Sequence, residues 1–202
     1  NIDGYNSENY SLGVYSVQNI VTNDFQIGSR TALFPAPYDG QLDEIAVWNQ
    51  ALTANNVKQL YNYGVPNIPS PIGYWTMDDN EVSGSTLLDR ALRLDGTISG
   101  ATTGVSGQIN EALTFGTSDF IGLGNSLNEV ITGADVQWSI SFWIKPASTM
   151  TLNIIFGKLA DSTCTEDQRQ FSIRLGASSR IDFLFYGSLV SSDYRNVIGT
   201  TS

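Results

Sequence analysis

A long run of alternating hydrophobic and polar residues extends from Val136 to Pro146. Its hydrophobic residues recur at every second position, which is the period of a β-strand with one buried face. These inward positions are Val136, Trp138, Ile140, Phe142 and Ile144. The opposite face is polar apart from one large aromatic residue, Trp143. The run therefore predicts a long strand at the core, with Trp143 on its outer face.

A second alternating run, from Leu42 to Trp48, follows the turn-forming pair Asp39-Gly40. Strict alternation places Asp43, Ile45 and Val47 on one face of this strand. The other face then carries Glu44, Ala46 and Trp48. Because an isolated buried charge is costly, the acid at the head of the apolar face needs a partner. Asp43 could ligate a structural calcium ion, bond to backbone amides, or lie at the solvent edge.

A corner and a short helix follow this strand. Thr53 is a residue type favoured at helix N-caps, and the residues from Ala54 to Asn62 have helical periodicity. Val57, Leu60 and Tyr61 fall on one side of the helix. The helix therefore has one side that can pack against other parts of the fold.

Several further short runs have the composition and alternation of strands. They are Leu12 to Val17, Phe25 to Gly28, Ile154 to Lys158, Phe171 to Leu175 and Ile181 to Tyr186. Residues 65–71 contain three prolines, Pro66, Pro69 and Pro71. Such a stretch favours extended polyproline geometry and is not expected inside a sheet. The chain is therefore predicted to be all-β with one short helix, and to have a proline-rich linker at residues 65–71.

The order of these elements resembles that of laminin G-like, concanavalin A-like jelly-roll modules. The strand around Asp43, the corner Ala51-Leu52-Thr53 and the helix are similar to the end of such a module. The aromatic strand that opens with Ile72, and the stretch from Gly107 to Phe115, are similar to its beginning. The resemblance implies an antiparallel jelly-roll β-sandwich, with the helix capping the end of the sandwich.

The resemblance also implies a division of the chain into three parts. Residues 1–64 correspond to the C-terminal part of one module, 65–71 to the linker, and 72–202 to the N-terminal part of another module. Two arrangements fit this order: a segment of tandem repeats, or a circular permutant whose halves fold back together. We favour tandem repeats.

Composition excludes several functions. The chain has 202 residues, a hydrophobic fraction of 41% that suffices for a core, and a net charge of -10. An acidic chain with ten basic residues is a poor ligand for nucleic acid or for anionic membranes. No stretch approaches the roughly 20 apolar residues of a membrane-spanning helix, so membrane insertion is not expected. Its one cysteine, Cys164, cannot form an internal disulfide bond.

The chemistry of most hydrolases is also missing. There is no histidine, which removes nucleophile-histidine catalysis and most zinc sites. Glycoside hydrolysis needs two carboxylates, and the similar glucanases carry Glu-x-Asp-x-Glu on one strand. Here the corresponding positions are Gln41, Asp43 and Ile45. We therefore expect no catalytic residues and no enzymatic activity, with glycoside hydrolysis as the less favoured alternative.

Calcium is the cofactor that the resemblance implies, because laminin G-like relatives often bind it. Calcium prefers carboxylate and carbonyl oxygens. Asp43, Asp78 and Asp79 are the predicted ligands of a structural calcium ion.

Aromatic side chains on the surface are the candidates for ligand binding. Trp143 could stack on a sugar ring, and Tyr186 and Tyr194 lie around a loop that could contribute to such a site. The alternative for Trp143, which we favour, is that its face is covered by other parts of the fold.

These observations predict a non-catalytic structural or adhesive module of a larger extracellular, cell-surface or virion-surface protein. Its expected partners are neighbouring modules of the same protein or other surface proteins. The alternative is a carbohydrate-binding, lectin-like domain.

Overall fold

In the computed structural model, strands dominate the part of the chain that is described. This part comprises residues 16–17, 24–29, 37–64, 68–91, 94–125, 127, 133–134, 136–147, 153–158, 171–176, 180–186 and 194–198. Within it, the strands form an antiparallel sandwich accompanied by one α-helix. The predicted all-β class with one short helix is confirmed.

The elements are numbered in chain order. The strands are β1 (Ser16–Val17), β2 (Gln26–Ile27), β3 (Gly40–Trp48), β4 (Gly73–Trp75), β5 (Val82–Ser83), β6 (Thr86–Leu87), β7 (Gly96–Ser99), β8 (Thr102–Ser106), β9 (Glu111–Phe115), β10 (Phe120–Gly122), β11 (Gly133–Ala134), β12 (Ser139–Pro146), β13 (Asn153–Lys158), β14 (Phe171–Leu175), β15 (Ile181–Tyr186) and β16 (Tyr194–Ile198). The helix α1 is Ala54–Tyr63, and a 3-10 turn covers Asp79–Glu81.

The described strands form two main sheets. The large sheet has the order β16-β15-β14-β13-β2-β10-β7-β6-β5. The small sheet has the order β12-β3-β9-β8, and β4 also pairs with β3. β1 and β11 pair separately. All pairings between these strands are antiparallel.

Strands from both sides of the proline-rich stretch share these sheets. β3 pairs with β12 along one edge and with β9 and β4 along the other, and all three partners follow residue 71. In the large sheet, β2 lies between β13 and β10. The described residues on the two sides of this stretch therefore fold against each other. Whether they derive from two modules or from one permuted module stays a prediction, and residues 65–67 of the linker lie outside the described part.

The core fills the space between the two sheets and combines residues of both segments. Its largest fully buried side chains include Phe25, Tyr38, Leu42, Ile45, Trp75, Phe115, Phe156 and Phe171. Trp138, Ile140, Phe142 and Ile144 pack against this core and confirm the predicted inner face of the long strand. That strand begins at Ser139 instead of Val136, which is 39% exposed.

The predicted faces of β3 are correct for Ile45 and Val47 and for Ala46 and Trp48, but the position of Asp43 is wrong because the strand contains a bulge. Leu42, Ile45 and Val47 all belong to the core, although Leu42 and Ile45 are an odd number of residues apart. The pairing with β12 shifts register between Ser141 and Trp143, and Glu44 has a φ of 54°. The additional residue shifts the alternation by one position. Leu42 therefore takes the core position that strict alternation assigns to Asp43.

The predicted helix is confirmed, including its N-cap. The Thr53 hydroxyl accepts the Asn56 N–H at 3.1 Å, and Asn56 Oδ1 accepts the Thr53 N–H at 3.1 Å. Leu60 packs on Ala46 and Trp48, which face away from the core. The helix thus covers the outer face of the small sheet, whereas the sequence suggested that it would cap the end of the sandwich.

The described part of the proline-rich stretch packs on the same outer face. Ile68 belongs to the cluster around Trp48, and Trp48 Nε1 donates to the Pro69 carbonyl at 2.7 Å. Buried indole N–H groups usually need such an acceptor. The two contacts tie the stretch to the small sheet.

In the part of the chain that is described, no helix has the length and apolar character that a membrane crossing requires.

Candidate functional site

Two of the three acids predicted as calcium ligands, Asp43 and Asp78, meet where β3 changes partners. β3 pairs with β9 from Gly40 to Leu42 and with β4 from Ile45 to Val47. Between these two ladders, the backbone N–H and C=O groups have no neighbouring strand to bond. They need other hydrogen-bond partners. We call this place the strand fork and define it by Asp43, Glu44, Tyr74, Asp78 and Glu111.

Asp43 holds the loop between β8 and β9. Its side chain is 3% exposed, and its Oδ2 accepts the N–H groups of Gln108 at 2.7 Å and Ile109 at 3.0 Å. Among the described residues, Oδ1 is buried without a hydrogen-bond partner. Burial raises the pKa of Asp43, and the nearby charge of Asp78 acts in the same direction. Of the three possibilities for this acid, the structure shows bonding to backbone amides.

Asp78 and Asp79 have different environments. Asp78 is buried, and its Oδ1 accepts the Glu111 N–H at 3.0 Å. Asp79 is exposed, and its backbone N–H donates to Glu111 Oε2 at 2.9 Å. The structure thus brings Asp43 and Asp78 to one loop and leaves the Asp79 carboxylate outside it.

The described residues do not offer a ready calcium cage at this place. Within the described ranges, no three acidic, cysteine or histidine side chains are grouped so that they could hold a metal ion. The oxygens of Asp43 and Asp78 that carry hydrogen bonds already serve backbone amides. No chemical step is therefore assigned to calcium, and calcium binding stays a prediction.

The calcium prediction is tested by thermal unfolding in excess calcium and in excess chelator. A bound ion would raise the melting temperature, because it binds only the folded chain. The Asp43→Asn and Asp79→Asn variants would then lose that rise. Equal melting temperatures in calcium and in chelator would contradict the prediction.

Glu44 is the most perturbed acid of the strand fork. It is 5% exposed and accepts a hydrogen bond from the Tyr74 hydroxyl. Burial raises the pKa of Glu44 to about 7, and the charges of Asp43 and Asp78 add to this rise. The hydrogen bond from Tyr74 and the charge of Arg90 oppose it. Burial and the bond to Glu44 in turn raise the pKa of Tyr74.

We expect the stability of the protein to fall between about pH 4.5 and about pH 7 because of Glu44. In this window the folded chain keeps a proton that the unfolded chain has released, so raising the pH favours unfolding. The free energy of unfolding should decrease by about 2–3 kcal/mol across the window. Urea unfolding at several pH values measures this difference.

The Glu44→Gln variant is the matched control, because a glutamine can still accept the Tyr74 hydrogen bond. Its stability should lack this decrease and should exceed that of the parent near neutral pH. Identical pH profiles of Glu44→Gln and the parent chain would contradict the assignment.

Trp143 lies on the outer face of β12, as predicted, and meets the helix there. Its ring centroid is 5.5 Å from that of Tyr61, at an interplanar angle of 40°. Tyr61 is 47% exposed and Tyr63 is 69% exposed. The helix therefore covers part of Trp143, and an aromatic surface remains around the pair.

The other two predicted ligand residues lie on the large sheet. Tyr186 on β15 and Tyr194 on β16 are opposite each other in the register. Trp143 belongs to the small sheet, so the predicted ligand residues fall on two different sheets. The side chains of Tyr186 and Tyr194, and Cys164 as a whole, lie outside the described part.

Asp89 is a buried acid to which the sequence analysis assigned no role. Asp89 is 1% exposed and accepts the N–H groups of Tyr74 at 2.7 Å, Ala91 at 2.9 Å and Leu94 at 3.0 Å. It fixes the segment after β6 to the start of β4. Asp89 therefore has the same structural function as Asp43, which is to satisfy backbone donors of a buried loop.

No protein-family model matches the chain, and no curated protein or solved structure matches it either. The resemblance to laminin G-like modules stays a prediction from the motifs.

Proposed function

We propose that the chain is a non-catalytic structural or adhesive module of a larger extracellular, cell-surface or virion-surface protein. The observation that carries the proposal is the use of its buried acids. Asp43, Asp78 and Asp89 all accept backbone N–H groups of loops. Carboxylates committed in this way stabilise the fold and are poorly placed for acid–base work on a substrate.

The remaining buried acid of the strand fork fits this proposal as well. Glu44 lies next to Asp43 on one strand and is bonded to Tyr74. A glycosidase needs two carboxylates facing each other across a sugar, with separations of about 5 Å or more and room for the substrate. In the strand fork, Asp43, Glu44 and Asp78 are instead buried within protein.

Turnover assays test the non-catalytic part of the proposal. We expect no release of reducing ends from β-glucans or other polysaccharides during long incubation with the purified chain. Release that disappears in the Glu44→Gln or Asp78→Asn variant would overturn it and would favour the glycoside hydrolase alternative.

The proposed surface location is tested on the intact cells or particles that carry the protein. An antibody raised against the chain is expected to label intact, unpermeabilised cells or intact particles. Labelling that requires permeabilisation would contradict a surface location. Proteins cross-linked to the chain on the intact surface would identify the neighbouring modules or surface proteins that we expect as partners.

Carbohydrate binding is the second candidate, and the Tyr61–Trp143 pair favours it. Partly exposed aromatic rings can stack on the apolar face of a pyranose, and Tyr63 adds a further exposed ring nearby in sequence. On a glycan array, binding that is lost in Trp143→Ala and Tyr61→Ala but kept in Leu88→Ala would support a lectin-like function. Binding unchanged by the two aromatic substitutions would count against this surface.

A further inference from the structure

A lysine amine is enclosed at the end of β13 in the large sheet. Lys158 has no exposed surface, and its Nζ lies 4.9 Å from the centroid of the Phe25 ring. The Nζ donates a hydrogen bond to Asn125 Oδ1 at 2.8 Å. Lysines are seldom fully buried, because their charge loses its hydration. A buried amine in contact with a side-chain amide therefore requires an explanation.

Lys158 and Asn125 lie on opposite sides of β2. Asn125 follows β10, Lys158 ends β13, and both strands pair with β2. Just before β2, the Phe25 N–H donates to the Gly124 carbonyl at 2.9 Å, and the Leu123 N–H donates to the Phe25 carbonyl at 2.8 Å. These backbone bonds hold Asn125 in place beside the amine.

We propose that Lys158 and Asn125 form an intramolecular isopeptide bond. The neutral Nζ attacks Cγ of Asn125 and forms a new C–N bond. The bond from Cγ to Nδ2 breaks, a proton passes from Nζ to Nδ2, and ammonia leaves. One amide is exchanged for another, so neither an oxidant nor another co-reactant is required.

The surroundings supply a partly neutral amine and a path for the leaving group. Burial lowers the pKa of Lys158 to about 8, so that roughly a tenth of the amine is neutral near pH 7. The charge of Asp24 acts in the opposite direction and raises the pKa of the amine, but the effect of burial is the larger of the two. Asn125 is exposed, which gives ammonia a path to solvent.

Such a bond would link the ends of the two strands that flank β2 in the large sheet. It would join residues that are 33 positions apart and would close a covalent loop of residues 125–158, which contains β11, β12 and β13. Covalent loop closure restricts the unfolded chain, as a disulfide bond does. A chain with one cysteine has no internal disulfide of its own. The inference does not depend on the proposed adhesive function.

Intact-mass spectrometry of the purified chain tests the proposal. The measured mass should be lower than the sequence mass by one ammonia, and a protease digest should contain a branched peptide joining residues 125 and 158. Asn125→Ala should keep the full mass of its sequence, and its fold should persist because the side chain is exposed. Asn125→Asp should form the same bond with loss of water.

Lys158→Met separates the proposed bond from cyclisation of an asparagine, which also releases ammonia. This variant should show its full sequence mass. Persistence of the ammonia loss in Lys158→Met would overturn the proposal. So would a full sequence mass in the folded parent chain after prolonged incubation at about pH 8 to 9, where most of the amine is neutral.

Discussion

Replacement of Trp75 by alanine is expected to lower the free energy of unfolding by about 3–5 kcal/mol. The Trp75 side chain is fully buried between the sheets, and its Nε1 donates to the Leu94 carbonyl at 2.9 Å. Truncation removes a large apolar side chain and leaves a cavity. It also leaves the buried Leu94 carbonyl without the hydrogen bond from Trp75. Urea unfolding followed by circular dichroism measures the loss.

Trp75 is informative because it follows the proline-rich stretch and is paired with Ile45, which precedes it. If the two segments form one cooperative unit, Trp75→Ala should shift a single unfolding transition to lower urea. Leu88→Ala is the control, since Leu88 is 37% exposed and its truncation should cost much less. A loss below about 1 kcal/mol for Trp75→Ala would contradict the described core.

Replacement of Asp89 by alanine is the second large effect, with an expected loss of about 3–5 kcal/mol. Its two carboxylate oxygens accept three backbone N–H groups, from Tyr74, Ala91 and Leu94. A buried donor left without an acceptor costs about 1–3 kcal/mol, and charge-assisted bonds are stronger than neutral ones. The same urea titration measures this loss.

Two variants serve as controls for Asp89→Ala. Asp89→Asn keeps one acceptor oxygen and should lie between the parent chain and Asp89→Ala in stability. Asp79→Ala removes an exposed carboxylate and should change stability by no more than about 0.5 kcal/mol. Equal losses for Asp89→Ala and Asp79→Ala would show that Asp89 does not hold the loop.

Periodic patterns in the sequence were sufficient to predict the long strand β12 and the helix. The alternation in β12 gave its inner face, and the residues around Thr53 gave a helix that the structure confirms. These features depend on side chains close together in the chain. Local periodicity and capping preferences describe such features directly.

The bulge at Glu44 could not be predicted in the same way. Its left-handed backbone has no local signal, since no glycine or asparagine stands at this position. The bulge occurs where β3 exchanges β9 for β4, and that exchange depends on strands far away in sequence. Tertiary pairing therefore overrides the strict alternation.

The partners of the buried charged side chains could not be predicted from local sequence patterns for the same reason. Asp43 bonds the N–H of Gln108, which is 65 residues away, and Lys158 contacts Asn125 across 33 residues. The sequence identified Asp43 as an acid that needs a partner. It did not determine whether the partner of the Asp43 carboxylate is a metal ion or the backbone of a loop, because the partner depends on which distant segments the fold brings near Asp43.

The position of β3 between β12 and β4 is tested most directly by nuclear Overhauser effects in the isotopically labelled chain. Cross-strand contacts should connect Val47 with Ile140 and Ile45 with Trp75 in the same sample. Both contacts would place a strand from before the proline-rich stretch inside the sheet formed by the residues after it. A folded sample in which residues 40–48 contact neither Ile140 nor Trp75 would contradict the account.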